Sequence, residues 1–370
     1  MSVTVLGPWL GASPAEGRGK FARPSSSVAA AHGSTLDATG RPPPHPRVSV
    51  IVPAYNAAWW VRRLLESVAA QSMPDFECVV VDDGSTDDTA VIVEAFCASD
   101  SRFRCIRQQN LGVAEARNRA LGAARGEFVA PVDADDLWHR DYLLEMTRAL
   151  DSATGAKAPF AFCYSHWIDA DDFYESSPGP ARPPRGDFIG LLRQNAVGNG
   201  SCAVFRRSAL VGVGGYDISL KDRGAQGGDD WKALLLVAAR GDALVVPLFL
   251  VGYRRTPNSL SADALGQARS SLIVLSDIRR LFPRVARRHF WAARTDFLVW
   301  LLPIMVRKRN IRSVIRYGAM AYVANPLWPT QPQARMFWSL LAARLLRRAH
   351  AGPATPRLLF GDHDPGARQG

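Results

Sequence analysis

The chain has 370 residues, 47% of them hydrophobic and 21% charged. That is enough for one large domain with an appendage, and it excludes both a disordered polyelectrolyte and, by composition, a membrane bundle. The net charge of +11 is unevenly placed: residues 279–348 hold 15 Lys or Arg and one acid, Asp296, a net +14 that leaves the rest of the chain at −3.

A basic block on a near-neutral body points to an anionic partner for that block, either a membrane surface or a nucleic acid. No basic stretch followed by an apolar core opens the chain, and no run of about 18 uncharged apolar residues occurs, so neither a signal peptide nor a spanning helix is expected. The five cysteines (Cys78, Cys97, Cys105, Cys163 and Cys202) are odd in number and form no CxxC pair. They read as reduced thiols of a cytoplasmic protein rather than a disulfide framework or zinc site.

Residues 1–46 are rich in Gly, Pro, Ser and Ala and read as a disordered leader. Order is expected from Val48. Residues 48–52 are apolar or β-branched at nearly every position, the pattern of a strand buried on both faces. Pro53-Ala54-Tyr55-Asn56 ends it, and a helix follows with Val61, Leu64, Leu65 and Val68 on one face. A second buried strand is predicted over 76–81, then the loop Asp82-Asp83-Gly84-Ser85-Thr86, where Ser85 or Thr86 can cap a helix that turns Val91, Ile92 and Ala95 inward. A third strand (102–107), a third helix (112–124) and a fourth strand (127–132) follow, and the last runs into Asp133-Ala134-Asp135-Asp136. Four strand–helix alternations predict an α/β fold with a mostly parallel central sheet, whose ligands gather at the carboxyl ends of the strands. Later elements are a loop over 176–186, a short strand at 204–207, a helix over 229–240 opened by two acids, an apolar strand at 244–253 and basic, aromatic helices from about 265.

Three polar clusters fall at those strand ends. Asp133, Asp135 and Asp136 repel one another unless a cation sits among them, and hard oxygen ligands suit Mg²⁺ or Mn²⁺, which could bridge to a diphosphate. The same run could equally be an exposed turn capping a helix that begins near Leu137. A carboxylate of Asp82 or Asp83 could accept a hydrogen bond from a base N–H, or simply cap a turn. Arg117, near a helix start, could pair with phosphate or lie solvated on the surface.

Taken jointly, the order and spacing of these clusters resemble the family 2 glycosyltransferases, which have the GT-A fold. The resemblance rests on 48–56, on Val79 to Thr86, on Gly112 to Asn118 and on Gly126 to Asp136, with Gly214-Gly215-Tyr216-Asp217 and Gly228-Asp229-Asp230-Trp231 similar to later motifs. It covers roughly residues 47–261. It implies a GT-A-type nucleotide-binding sandwich over 47–262; composition adds a basic, aromatic helical extension over 263–350 and a disordered tail over 351–370. It further implies that Pro53 and Tyr55 meet the base and ribose, that Asp83 reads the base, that Arg117 lies on the phosphate side, and that Asp133 and Asp135 contact the donor. Asp135 and Asp136 would hold a divalent metal, Mn²⁺ or Mg²⁺, and Asp230 would be the catalytic base. Where family members often carry a histidine for metal or diphosphate, this chain has Thr256, a poorer ligand, and Arg254 or Arg255 could take over the diphosphate contact.

The function so implied is inverting transfer from a nucleotide diphosphate sugar, expected to be UDP-linked, to a saccharide or lipid-linked acceptor in surface polysaccharide biosynthesis. The alternative is a nucleotide-sugar-binding scaffold that has lost catalysis. A processive synthase is disfavoured, since spanning helices and a Q-x-x-R-W motif are missing. The C-terminal block, with Trp291, Trp300, Tyr322 and Trp338 among its arginines, either lies peripherally on the inner face of the membrane or packs on the enzyme with its arginines solvated. No nucleic-acid motif accompanies its charge.

Overall fold

The computed structural model describes residues 45–345, apart from 177–183, 194, 196, 226, 256–262, 308 and 331–333. Thr256 and part of the predicted 176–186 loop therefore lie outside the described residues, as do the leader and the tail.

Strands β1 (Val48–Ala54), β2 (Phe76–Asp82), β3 (Phe103–Arg107) and β4 (Phe128–Pro131) alternate with helices α1 (Val61–Ala69), α2 (Thr89–Ser99) and α3 (Val113–Ala123). Every residue of β1 and β2 is buried, as their uninterrupted apolar character requires of a strand covered on both faces. β1 runs parallel to β2 and β4, and β2 to β3, which gives the order β3-β2-β1-β4.

Beyond β4 come β5 (Leu137–Trp138), α4 (Tyr142–Asp151), β6 (Phe160–Ile168), β7 (Tyr174–Ser176), α5 (Phe188–Arg193), β8 (Ala203–Arg206), α6 (Arg207–Gly212), α7 (Ser219–Asp222), α8 (Asp229–Ala238) and β9 (Leu244–Arg254). The sheet continues through β8, β6, β9 and β5, with β7 on β6. It is parallel in its first half, as expected, and mixed in its second: β8 is antiparallel to both β4 and β6, whereas β6 and β9 are parallel.

Three local expectations are corrected. Val91 is exposed and α2 buries Ala90 and Val93 instead, because the helix starts at Thr89 and its face is rotated accordingly. Ser85 and Thr86 do not cap it: Ser85 Oγ accepts from the Asn56 N–H, the Thr86 N–H donates to Asn56 Oδ1, and Asp87 Oδ1 receives the Thr89 N–H. No helix begins near Leu137, which enters β5, antiparallel to β9; the next helix starts at Tyr142.

The C-terminal region is helical: α9 (Ala264–Leu281), α10 (Arg287–Arg307), α11 (Ile311–Ala324) and α12 (Arg335–Leu345). Val274 and Ile278 of α9, with Phe290 and Ala293 of α10, join the core built on the sheet. A second core gathers Leu298, Leu301, Leu302 and Met305 of α10 with Tyr317 and Ala321 of α11 and Phe337 of α12. Asp296 pairs with Arg193 of α5 at 3.1 Å. These helices thus pack on the sheet domain. Among the described residues no helix is long and apolar enough to cross a membrane.

Candidate active site

The carboxyl ends of β1, β2 and β4 bring three polar loops together. Asn56, just past β1, adopts φ +49°, a left-handed conformation that Asn tolerates better than most residues. That turn lets its backbone and side chain bond both Ser85 and Thr86, lacing the first loop to the second. Gly84 (φ +74°) closes the second loop, where a Cβ would sit 2.8 Å from the Asn110 backbone nitrogen. Asp83 ties this loop to the segment before α3: Oδ1 accepts from the Leu111 N–H (2.8 Å) and Gln108 Nε2 (2.7 Å), and Oδ2 from the Gly112 N–H (2.8 Å). Oδ2 thereby uses one of the two positions an oxygen can offer, so a base N–H has one position left to meet. Tyr55 is half exposed. Pro53 is buried inside β1, so of this pair only Tyr55 presents a surface to a ligand.

The run after β4 is pinned by residues distant in sequence. The Asp133 N–H donates to Ser201 Oγ (3.0 Å), and Ser201 Oγ donates to Asp136 Oδ2 (2.6 Å). The Arg254 N–H donates to Asp136 Oδ1 (3.0 Å), and Arg254 Nε donates to the Asp135 carbonyl (2.7 Å). Asp136 is 1% exposed, and burial, followed by its two acidic neighbours, pushes its carboxyl well above the ordinary value. It is therefore turned into the protein. Of the two expected metal ligands, Asp135 alone keeps a carboxylate bonded by no other residue's side chain among the described residues, its one hydrogen bond coming from its own backbone N–H, and burial and the charge of Asp133 push it up to about 6.

Two arginines prove to be structural. Arg117 is 4% exposed. Its Nη1 donates to Asp229 (2.6 Å) and its Nη2 to Asp133, so its charge is balanced inside the protein, while its Nε is buried without a partner. It joins the loop after β4 to the start of α8. Arg254 is fully buried, with Nη1 on the Asp169 carbonyl and Nη2 on Asp172. It buttresses the acidic turn from beneath and cannot reach a diphosphate. Arg255 is exposed and lies over the Trp167 ring at 4.2 Å, which leaves it as the available cation of the pair.

Of the acid pair opening α8, Asp229 is spent on Arg117. Asp230 accepts only the Trp231 N–H, on Oδ1 (2.7 Å). Its Oδ2 faces Gly200, where a Cβ would sit 3.8 Å away. Burial and the neighbouring Asp229 raise Asp230 to about 6, with Arg117 opposing. A carboxyl so poised is half ionised near pH 6 and can take up a proton.

Residues 49–213 match the profile of Glycosyl transferase family 2. They belong to that family. EpsH of Bacillus subtilis, named as a glycosyltransferase, is 40% identical over 109 residues, 30% of this chain and 32% of EpsH. Glycosyltransferase GlyA of Streptococcus pneumoniae is 36% identical over 138 residues, 35% of this chain and 20% of GlyA. The chain thus spans a third or less of these relatives' own length. The mannosyltransferase PcManGT of Pyrobaculum calidifontis, solved with GDP-Man and Mn²⁺, matches with TM-score 0.50 at 22% identity, over 82% of this chain and 88% of that one. This likeness shows a shared fold, of the GT-A type.

Within the transferase domain, no three His, Cys, Asp or Glu among the described residues converge as a metal cage. The donor set is nonetheless that of a cation bound together with its ligand: Mg²⁺ or Mn²⁺ is commonly held by one or two carboxylates plus phosphate oxygens. Asp135, bonded by no other side chain among the described residues and beside a second carboxylate, fits that role; Asp136 in its inward orientation does not.

Sequence reading missed three contributors to the cleft. Ser201 knots the acidic run. Asn118 grips Tyr216 through both its amide atoms (2.8 and 2.7 Å), joining two family motifs. Asn199, 6% exposed, has neither amide atom partnered and precedes the Gly200 that packs on Asp230. No local pattern marks Ser201 or Asn199. The Asn118 pairing could have been sought only from the motif context.

Proposed function

We propose that this protein is an inverting glycosyltransferase moving a sugar from a nucleotide diphosphate donor, UDP-linked in the first instance, onto a hydroxyl of a glycan or lipid-linked acceptor in surface polysaccharide biosynthesis. Asp230 carries the reading: it opens α8 with one oxygen unpartnered among the described residues, a pKa raised to about 6 by burial and Asp229, and a position beside the loops that would hold the donor. In the reaction the acceptor oxygen attacks the anomeric carbon, the bond from that carbon to the diphosphate breaks, and the acceptor proton passes to the Asp230 carboxylate. One displacement inverts the configuration. Tyr55 would pack on the base or ribose, with Asp83 Oδ2 meeting a base N–H. Asp133 and Asp135 would face the donor, and Arg255 would approach its diphosphate. A divalent cation held through Asp135 would supply charge compensation for the departing diphosphate. Arg117 and Arg254 act at one remove, by holding the acids in place.

The test is donor hydrolysis over UDP-, dTDP- and GDP-sugars, with and without Mn²⁺ or Mg²⁺. Metal-stimulated release of a nucleoside diphosphate from one donor, lost in Asp135→Ala, supports the reading and names the sugar. Tight nucleotide binding without turnover, even when acceptors are supplied, would favour a scaffold. No binding to any of the three nucleotides would sink the proposal.

A further inference from the structure

Away from the cleft, a cavity of about 290 Å³ opens between α9 and α11. Arg223, Arg269 and Arg316 line it together with the apolar side chains of Leu272, Ile273 and Met320, and no carboxylate is among its lining residues. The three cations differ. Arg223 is neutralised by Asp277, with its two Nη atoms on the two carboxylate oxygens at 2.6 and 2.7 Å. Arg269 and Arg316 are exposed and have no acidic partner among the described residues; Arg316 lies over its neighbour Tyr317 at 5.6 Å. Two uncompensated guanidinium groups above an apolar lining suit a phosphate attached to an apolar chain, because the planar fork of arginine matches phosphate oxygens in pairs. The volume lies at the lower edge of ordinary ligand pockets (roughly 300 Å³ and upward), which suits a headgroup rather than a whole sugar nucleotide.

The outer face of α11 indicates where such a chain would come from. Ile311, Ile315, Tyr322 and Val323 are 66%, 68%, 55% and 84% exposed; helical spacing groups Ile311, Ile315 and Tyr322 in one stripe, and places Val323 and Arg316 together roughly a quarter-turn further round the helix, on the side toward the cavity. An exposed apolar stripe flanked by arginine, on a helix not suited to span, is the pattern of a helix lying in a bilayer interface. We propose that the cavity between α9 and α11 seats the phosphate of an anionic bilayer phospholipid, with the exposed face of α11 that runs from Val323, next to Arg316, round to Ile315 resting at the acyl boundary. The seat adjoins the catalytic half of the molecule. Asp277 bonds Lys232 of α8 at 2.6 Å as well as Arg223, and α9 packs against Gly228 through Val274 and Ser270, at the start of the helix that carries Asp230. A lipid bound there would hold the cleft close to a membrane-borne acceptor.

The experiment is co-sedimentation of the full chain with vesicles of phosphatidylcholine alone or with 30% phosphatidic acid, alongside a calorimetric titration with inorganic phosphate. Binding is expected on the anionic vesicles only, weakened at least tenfold in Arg269→Gln/Arg316→Gln, since each basic residue near an anionic surface contributes about fivefold, and weakened again in Val323→Asp. All three sites are exposed, so folding is not at stake, and donor hydrolysis by the variants should match the parent protein. Vesicle binding unchanged in the double variant overturns the proposal. So does saturable binding of inorganic phosphate that needs both arginines but comes without vesicle binding, because the ligand would then be a free anion.

Discussion

In the cleft the two buried arginines are answered by partners far off in the sequence, whereas on α9 and α11 the arginines of the cavity stand in solvent with no acidic partner among the described residues. Arg117 meets Asp133 and Asp229 across 16 and 112 positions, and Arg254 reaches Asp135, Asp169 and Asp172. Arg269 and Arg316 reach none of the described acids. Buried charges must be paired, because leaving one uncompensated costs several kcal/mol, while a solvated arginine is free to meet an external anion. The buried arginines of the cleft therefore hold its acids in place, and Arg269 and Arg316 of the helical region are left solvated.

Several changes would break or sharpen that contrast. The largest effect is expected from Asp230→Asn, which should lower glycosyl transfer about 10²–10⁴-fold, the usual worth of a general base, with donor affinity by calorimetry within a few-fold of the parent; near-normal turnover would remove Asp230 from the mechanism. Replacing Arg117 by Met strands two carboxylates and should lower stability by about 3–5 kcal/mol, read by denaturant unfolding. If the variant folds, its pH profile should move to higher pH, because Arg117 is what opposes the upward shift of Asp230. In the parent protein the sign follows from the direction of that shift. Asp230 works as the carboxylate, so kcat/KM should be low at pH 5 and rise through about 6 to a plateau; a profile flat from pH 5 to 8 would show that a different group takes the proton. The smallest effect belongs to Asp277. Burial raises its pKa, but hydrogen bonds from Arg223 and Lys232 outweigh this and hold it below the ordinary carboxylate value. Its contribution is present above the unfolded pKa of about 3.9 and lost as pH falls below it. Asp277→Asn should therefore lower Tm modestly at pH 7 and scarcely at pH 3.

Much of the fold could be read directly. β1 and β2 are buried on both faces, so their apolar runs leave little choice of element, and the buried face of α1 follows from the spacing of Val61, Leu64, Leu65 and Val68. The second half of the sheet was harder to read because its strands alternate direction and pair across long intervals, as β6 does with β8 and β9. α2 was misjudged since three apolar neighbours, Val91, Ile92 and Val93, leave the helical phase undecided until the start at Thr89 is known.

For the site, the sequence by itself determined which carboxylates stand at the ends of β2 and β4 and at the start of α8, because local alternation of strand and helix places them there. Only the tertiary structure decided which of them are free. Asp136 is turned inward by Ser201 and Arg254, and Asp229 is claimed by Arg117, while Asp135 and Asp230 remain available. The physical reason is that the state of a buried charge depends on the partner that balances it, and these partners lie 65, 118 and 112 positions away, brought into contact by the packing of the whole sheet.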